Sequence, residues 1–190
     1  MSKRPILTVL SIALLAVALA VVLAVAGCAR GEQPPWGDPG DSLILDAFFE
    51  AAVDPDFIYW FAVDTDGDPL SGPDTDPRTW PGRGFYVVRF EDNQFFLTRP
   101  DGREEFFREG AVIDLAQLRI TLSLADLENP ADIQVMVVVT DWGGSPESYL
   151  REFRNLRTAT DFFPRPWTDI AGDPGEPASS LSRVEPRIGF

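Results

Sequence analysis

The chain has 190 residues, with 16 basic and 30 acidic side chains, a formal net charge of −14, no histidine and one cysteine. This length suits one domain with appendages, and a hydrophobic content of 45 % is enough to bury a core. The lack of histidine excludes histidine-based catalysis and histidine metal sites, and a single cysteine excludes an internal disulfide. The acidic charge argues against nucleic acid as a partner.

The N-terminal segment predicts export. Lys3 and Arg4 precede an uncharged run over residues 6–27 that is rich in Leu, Val and Ala. The run has the ~20 residues that span a bilayer, and it also has the basic start and small-residue end of a secretory signal. Two interpretations stay open at this point, namely an uncleaved helix that anchors the chain and a signal that is removed. Both place the rest of the chain outside the cytoplasm.

The end of this run carries a specific motif. The residues Val25-Ala26-Gly27-Cys28 put small side chains directly before the only cysteine. The motif resembles the lipobox of bacterial lipoproteins. The resemblance implies a signal peptide over residues 1–27, cleavage before Cys28 and a diacylglycerol on its sulfur. The membrane is then a partner through lipidated Cys28, at the cell membrane or the outer membrane, since two or more acyl chains attach a protein stably.

Composition divides the mature chain into three parts. Residues 28–42 are rich in Pro and Gly and predict a flexible tether between lipid and domain. Residues 172–190 contain further Pro, Gly and Ser and predict a loosely ordered tail. The folded domain is therefore expected over residues 43–171.

The first half of this domain has the pattern of short strands. Residues 43–53 and 57–63 are runs compatible with β-strands, and the second is apolar on both faces, which predicts a central strand. Residues 85–90 and 95–99 flank Asp92-Asn93, a favourable hairpin turn.

The second half continues the pattern with one exception. Residues 118–124 alternate apolar and polar side chains, as a strand with one wet face does, and residues 133–140 are Val-rich and predict another central strand. Residues 146–157 predict a short helix, because Pro suits its first turn and Tyr149, Phe153 and Leu156 share a helical face. The expected fold is an all-β antiparallel sandwich with this one short helix, preceded by the signal helix.

Several of these segments together resemble a known family. The strand over residues 57–63 runs into Asp64-Thr65-Asp66, and the strand over residues 118–124 ends in Ala125-Asp126-Leu127. With the strands at 85–90 and 133–140, this order resembles the DOMON-like β-sandwiches related to the family 9 carbohydrate-binding modules. The resemblance covers residues 43–142. It implies a jelly-roll-like sandwich that binds sugars, haem or no known ligand.

An acidic loop is the strongest local feature. Five aspartates occur within thirteen residues, and they are Asp64, Asp66, Asp68, Asp74 and Asp76. Because Ca²⁺ prefers several oxygen ligands, the loop is a candidate calcium site, although its spacing does not match an EF-hand. The alternative is a solvated loop in which each Asp bonds nearby backbone N–H groups.

Three tryptophans fall at loop or strand-end positions beside Pro or Gly, namely Trp80, Trp142 and Trp167. Their rings are candidates for stacking on sugar faces. The alternative is that each ring packs its own loop against the sandwich.

The chain offers little for catalysis, because Cys28 is expected to be acylated and only carboxylate chemistry remains. We therefore expect a non-enzymatic, lipid-anchored binding module with carbohydrate as the preferred ligand class. The alternative is a structural or protein-interaction lipoprotein of the cell envelope, without a small-molecule ligand. A further alternative is an accessory lipoprotein of a transport or hydrolase system.

Overall fold

The computed structural model describes residues 41–68, 70–172 and 179–189. These residues form twelve strands and one 3-10 turn, Pro77–Thr79, and none of them is α-helical. The predicted all-β antiparallel fold is confirmed. Residues 1–27 and Cys28 lie outside the described residues, so the structure leaves the signal peptide and the lipidation as predictions. No helix in the described part of the chain has the length and apolar character needed to cross a membrane.

The strands follow one another closely along the chain. They are β1 (Ser42–Phe49), β2 (Phe57–Asp64), β3 (Tyr86–Glu91), β4 (Gln94–Thr98), β5 (Glu104–Phe106), β6 (Gly110–Val112), β7 (Gln117–Ser123), β8 (Asp132–Asp141), β9 (Pro146–Leu150), β10 (Arg154–Arg157), β11 (Ile170–Gly172) and β12 (Leu181–Gly189).

Two antiparallel sheets build the sandwich. The smaller sheet has the order β12-β1-β7-β6, and the larger sheet has the order β11-β9-β8-β2-β3-β4-β5, with β10 also paired to β8. The inner faces of the sheets meet in the core, where the rings of Phe49 and Tyr59 make an edge contact with centroids 4.9 Å apart. Strand β2 lies between β3 and β8, which confirms its predicted central position.

The hairpin between β3 and β4 forms where the sequence predicts it. Asp92 and Asn93 both have positive φ angles, of 47° and 59°. A two-residue turn with this geometry matches the right-handed twist of the flanking strands, and Asn and Asp tolerate it better than most residues. The turn fixes the register, so that Glu91 lies opposite Gln94.

The predicted helix over residues 146–157 is wrong. This segment forms β9 and β10, and both strands pair with β8. Leu150 and Leu156 are buried against the core. The helical spacing of the apolar side chains does not decide the structure here, because β8 has backbone N–H and C=O groups available for pairing on this side. Pairing with β8 satisfies the backbone groups of the segment and also buries the two leucines.

The loosely ordered tail predicted over residues 172–190 is wrong for Leu181–Gly189, which is strand β12 paired along the whole of β1. Val184, Pro186 and Ile188 alternate toward the core. Pro186 is tolerated because β12 lies at the end of the strand order of its sheet. The prediction of a tail rested on the Pro, Gly and Ser content of this segment and did not use the alternation of buried and half-buried residues in β12.

The loop between β2 and β3 lies over the outer face of the larger sheet. The Nε2 of Gln134 on β8 donates to the carbonyl of Asp68 at 2.8 Å, and the rings of Trp80 and Trp60 meet edge to face at 6.5 Å. As a result, β8 has eight consecutive buried residues. Its inward side chains face the smaller sheet, and on its outward face the loop covers Gln134.

Candidate functional site on the outer face of the larger sheet

Four side chains form a row across the outer face of the larger sheet. Trp60 on β2 pairs with Arg89 on β3, Arg89 pairs with Phe96 on β4, and Phe96 pairs with Phe106 on β5. Residues directly opposite in an antiparallel ladder point to the same face, so these side chains lie side by side. We call Trp60, Arg89, Phe96 and Phe106 the outer row.

Arg89 stands between two rings of the row. Its guanidinium carbon lies 5.4 Å from the ring centroid of Trp60 and 5.2 Å from that of Phe96. Its Nη2 is 2.8 Å from a carboxylate oxygen of Glu91 and 3.4 Å from one of Glu104. Cation–π contacts on both sides, together with two carboxylates, hold the arginine in one orientation.

The row is closed at one end and open at the other. Trp80 is fully buried and packs against Trp60, so the loop covers the β2 end. Phe106 is 70 % exposed at the β5 end, and its ring lies 5.1 Å from that of Phe96. The open part of the row therefore runs from Arg89 to Phe106. It covers two strand spacings, or about 10 Å.

This arrangement suits a ligand that has flat apolar faces and hydroxyl edges. Phe96 and Phe106 offer ring surface, Arg89 offers N–H donors, and Glu91 and Glu104 offer acceptors. Arg89 and its partners are held in place before any ligand arrives, which reduces the entropy that binding would lose.

The acidic loop uses its carboxylates in its own turns. Each of the five aspartates accepts a hydrogen bond from the backbone N–H two residues later, and this holds for Asp64, Asp66, Asp68, Asp74 and Asp76. The predicted hydrogen bonds to nearby backbone N–H groups are confirmed, but the loop is not solvated throughout, since Asp64 is buried.

Two aspartates in the second half of the acidic loop form ion pairs with arginines. Asp74 pairs with Arg83 at 3.2 Å, and Asp76 pairs with Arg78 at 2.8 Å. Arg78 holds the pKa of the Asp76 carboxyl below its usual value through a side-chain hydrogen bond. Among the described residues, no group of three or more acidic side chains is placed to hold a metal ion. Calcium binding by the five aspartates stays a prediction.

The three candidate tryptophans occupy different environments. Trp80 is fully buried, and its Nε1 donates to the carbonyl of Asp74 at 3.1 Å, so its assignment as a stacking residue is wrong. It fixes the loop to the sheet instead. Trp142 is 53 % exposed, and its Nε1 donates to the carbonyl of Pro55 at 3.3 Å. Trp167 is half-buried and forms an isolated β-bridge with Val184 of β12.

Sequence reasoning missed the outer row, although part of it was accessible. The two-residue turn at Asp92-Asn93 sets Arg89 opposite Phe96 by counting along the hairpin. The pairing of Trp60 with Arg89 had no such signal, because the connection from β2 to β3 covers residues 65–85 and fixes no register.

No family model, curated protein or solved structure matches this chain.

Proposed function

We propose that the protein is an exported, lipid-anchored binding module without catalytic activity, and that its ligand is a carbohydrate bound on the outer row. The observation that carries the proposal is the fixed arginine between two aromatic rings, next to a phenylalanine that is 70 % exposed. Rings that stack on sugar faces, beside donors and acceptors for sugar hydroxyls, are the chemistry that such a ligand requires.

The position of Phe106 supports a binding role more than a packing role. Its strand β5 has three residues, all exposed, and lies at the edge of the larger sheet. Glu104 and Glu105 on the same strand keep this edge charged, which discourages pairing with another strand. An exposed ring that continues a row of rings and polar groups has the composition of a ligand surface.

The ligand proposal is tested with the full chain in detergent on a glycan array, followed by titration of any glycan that binds. Phe106→Ala and Phe96→Ala should each weaken binding roughly 30-fold, the loss expected for about 2 kcal/mol at an aromatic contact. Phe163→Ala is the matched control, because Phe163 is 79 % exposed and lies outside the row. It should bind like the wild type.

Two results would contradict the ligand proposal. One is the absence of binding to any glycan, with and without Ca²⁺. The other is glycan binding that Phe163→Ala weakens as much as Phe106→Ala does. Absent glycan binding, together with incorporation into an envelope complex that Phe106→Ala abolishes on native gels, would favour the protein-interaction alternative.

The location is proposed from the sequence motif at Cys28 and is tested separately. Mass spectrometry of the protein extracted from cells should show an acylated Cys28 as the N-terminal residue. Cys28→Ser should release the chain from the membrane fraction. An unmodified thiol with Met1 still in place would overturn the anchoring proposal and would leave the ligand proposal standing.

A further inference from the structure

Two buried side chains, each with an oxygen that lacks a hydrogen-bond donor among the described residues, face each other at the end of β2. Asp64 and Gln134 face each other across the ladder between β2 and β8, so their side chains point to the same outer face. Asp64 is 2 % exposed and Gln134 is 4 % exposed. Within the described residues, the Oδ2 of Asp64 and the Oε1 of Gln134 have no hydrogen-bond donor.

The remaining polar atoms of these two side chains are already engaged. The Oδ1 of Asp64 accepts the N–H of Asp66 at 3.0 Å, and the Nε2 of Gln134 donates to the carbonyl of Asp68 at 2.8 Å. These bonds hold both side chains in place, so neither can turn its free oxygen toward water without breaking a bond. A buried acceptor without a donor costs about 1–3 kcal/mol, and more when it is charged.

The surroundings of Asp64 add negative charge and no cation. Burial raises the pKa of the Asp64 carboxyl, and the neighbouring carboxylates of Asp66 and Asp68 raise it further, against the lowering effect of backbone N–H groups. No ion pair to Asp64 occurs among the described residues, whereas Asp74 and Asp76 in the same loop each pair with an arginine.

We propose that the Oδ2 of Asp64 and the Oε1 of Gln134 are two ligands of a Ca²⁺ ion bound beneath the acidic loop. Carboxylate and amide oxygens are ligands that calcium accepts, and backbone carbonyls or water complete its coordination elsewhere in proteins. The negative charge of Asp66 and Asp68 favours the cation at close range. The site differs from the five-aspartate prediction, because it draws one ligand from β8 and leaves Asp74 and Asp76 with their arginines.

The loop backbone lies directly against the amide oxygen of this pair. A Cβ placed on Gly72 would lie 2.4 Å from the Oε1 of Gln134 and 2.7 Å from the ring of Phe153. Any larger residue at this position would have to displace the side chain of Gln134 or Phe153. An ion at Asp64 and Gln134 would fasten the same loop that carries Trp80 onto Trp60, but the proposal does not depend on sugar binding.

Thermal melting of the full chain in detergent at pH 7, in EDTA and in CaCl₂, tests the site. Saturating Ca²⁺ should raise the melting midpoint by roughly 5–10 °C. Asp64→Asn keeps the acceptor for the Asp66 N–H but loses the charge, and it should abolish this rise. Asp74→Asn is the matched control, because it makes the same change in the other half of the loop, and it should keep the rise.

Isothermal titration of the wild type with CaCl₂ provides a measurement that needs no variant, and it should give one site per chain. Equal wild-type midpoints in EDTA and CaCl₂, with no binding heat, would overturn the proposal. A rise that survives in Asp64→Asn would overturn it as well. A melting midpoint that does not change with Ca²⁺ but rises on mild acidification would also overturn the proposal, because it would show that Asp64 binds a proton and not the cation.

Discussion

The two sheets each bury one aspartate on an outer face, and the two aspartates are held in opposite ways. Asp46 in the centre of the smaller sheet is 1 % exposed, and Asp64 at the end of β2 is 2 % exposed. Asp46 accepts from the Nε and Nη2 of Arg119 at 2.7 and 3.0 Å and from the Nη1 of Arg187 at 2.7 Å. Gln117 also donates to it, at 2.8 Å.

The charges around each carboxyl decide its titration. Burial raises the pKa of Asp46, but the hydrogen bonds from Arg119, Arg187 and Gln117 outweigh burial and leave the pKa below its usual value. Burial also raises the pKa of Asp64, and there neighbouring carboxylates reinforce the effect. Equal burial therefore produces opposite shifts, because the first site supplies cations and the second supplies further anions.

Asp46→Asn should give the largest change in stability. It leaves Arg119 and Arg187 without their carboxylate, and we expect a loss of about 2–3 kcal/mol in the free energy of unfolding, below the usual range for a fully buried pair because both arginines reach solvent. Urea denaturation at pH 7 measures it. Asp169→Asn is the control, since Asp169 also contacts two arginines, Arg151 and Arg154, but is 52 % exposed. If Asp169→Asn lost as much unfolding free energy as Asp46→Asn, burial would not explain the larger contribution of the Asp46 ion pairs.

The pH dependence of that loss should follow the lowered pKa of Asp46. A depressed pKa adds stability above the unfolded value of about 3.9, and this stability disappears as the pH falls through the folded pKa. The difference in unfolding free energy between wild type and Asp46→Asn should be constant above about pH 5 and should shrink below about pH 4. Urea curves from pH 7 to pH 2.5 measure it. If the difference in unfolding free energy stayed constant from pH 7 to pH 2.5, the charge of the Asp46 carboxylate would not be the source of the stability that Asp46→Asn loses.

In EDTA, Asp64→Asn should change the free energy of unfolding by less than Asp46→Asn does, and in the opposite direction. A raised pKa means that ionisation of Asp64 at neutral pH opposes folding, and this opposition disappears as the pH falls through the folded pKa. The variant should be as stable as the wild type at pH 7, or more stable by up to about 1 kcal/mol, because the amide keeps the turn acceptor and removes a desolvated charge. Urea denaturation in EDTA measures the sign, and a loss above about 1 kcal/mol would contradict it.

Asp76→Asn should change stability least. Asp76 has an arginine partner, as Asp46 does, but both members of its ion pair are exposed. Water and salt screen such a pair, and asparagine keeps the turn bond to the N–H of Arg78. The melting midpoint should match that of the wild type at both low and high NaCl. A midpoint that falls only at low salt would show that exposure does not weaken this pair as expected.

The sequence predicted the central strands and the tight hairpin because their signals are local. A run such as residues 57–63 is apolar on both faces, and a pair such as Asp92-Asn93 adopts its turn with few alternatives. The sequence did not predict β9, β10 and β12. Their residues form strands only because they pair with the backbone of β8 or β1. For the acidic loop, the sequence left calcium binding and turn formation as alternatives, and the structure shows that all five aspartates accept backbone N–H groups two residues later.

The candidate sites were predictable only in part. Asp64 was identified from its loop, but Gln134 lies 70 positions later in the chain and carries no motif of its own. Trp80 was noticed for its position beside Pro81, yet only the folded loop shows that its ring is buried. Arg89 was not singled out, because an arginine at an ordinary strand position becomes distinctive only when rings flank it.

The sequence by itself determined the strand-rich class of the domain and its hairpin turn, since both depend on residues close together in the chain. Only the tertiary structure decided which aspartate meets arginines and which meets carboxylates, and which rings line the open face of a sheet. Those outcomes depend on register between strands that are distant in sequence. Register in turn is set by how the two apolar faces pack together, because a shift of one residue would move every buried side chain to the solvent.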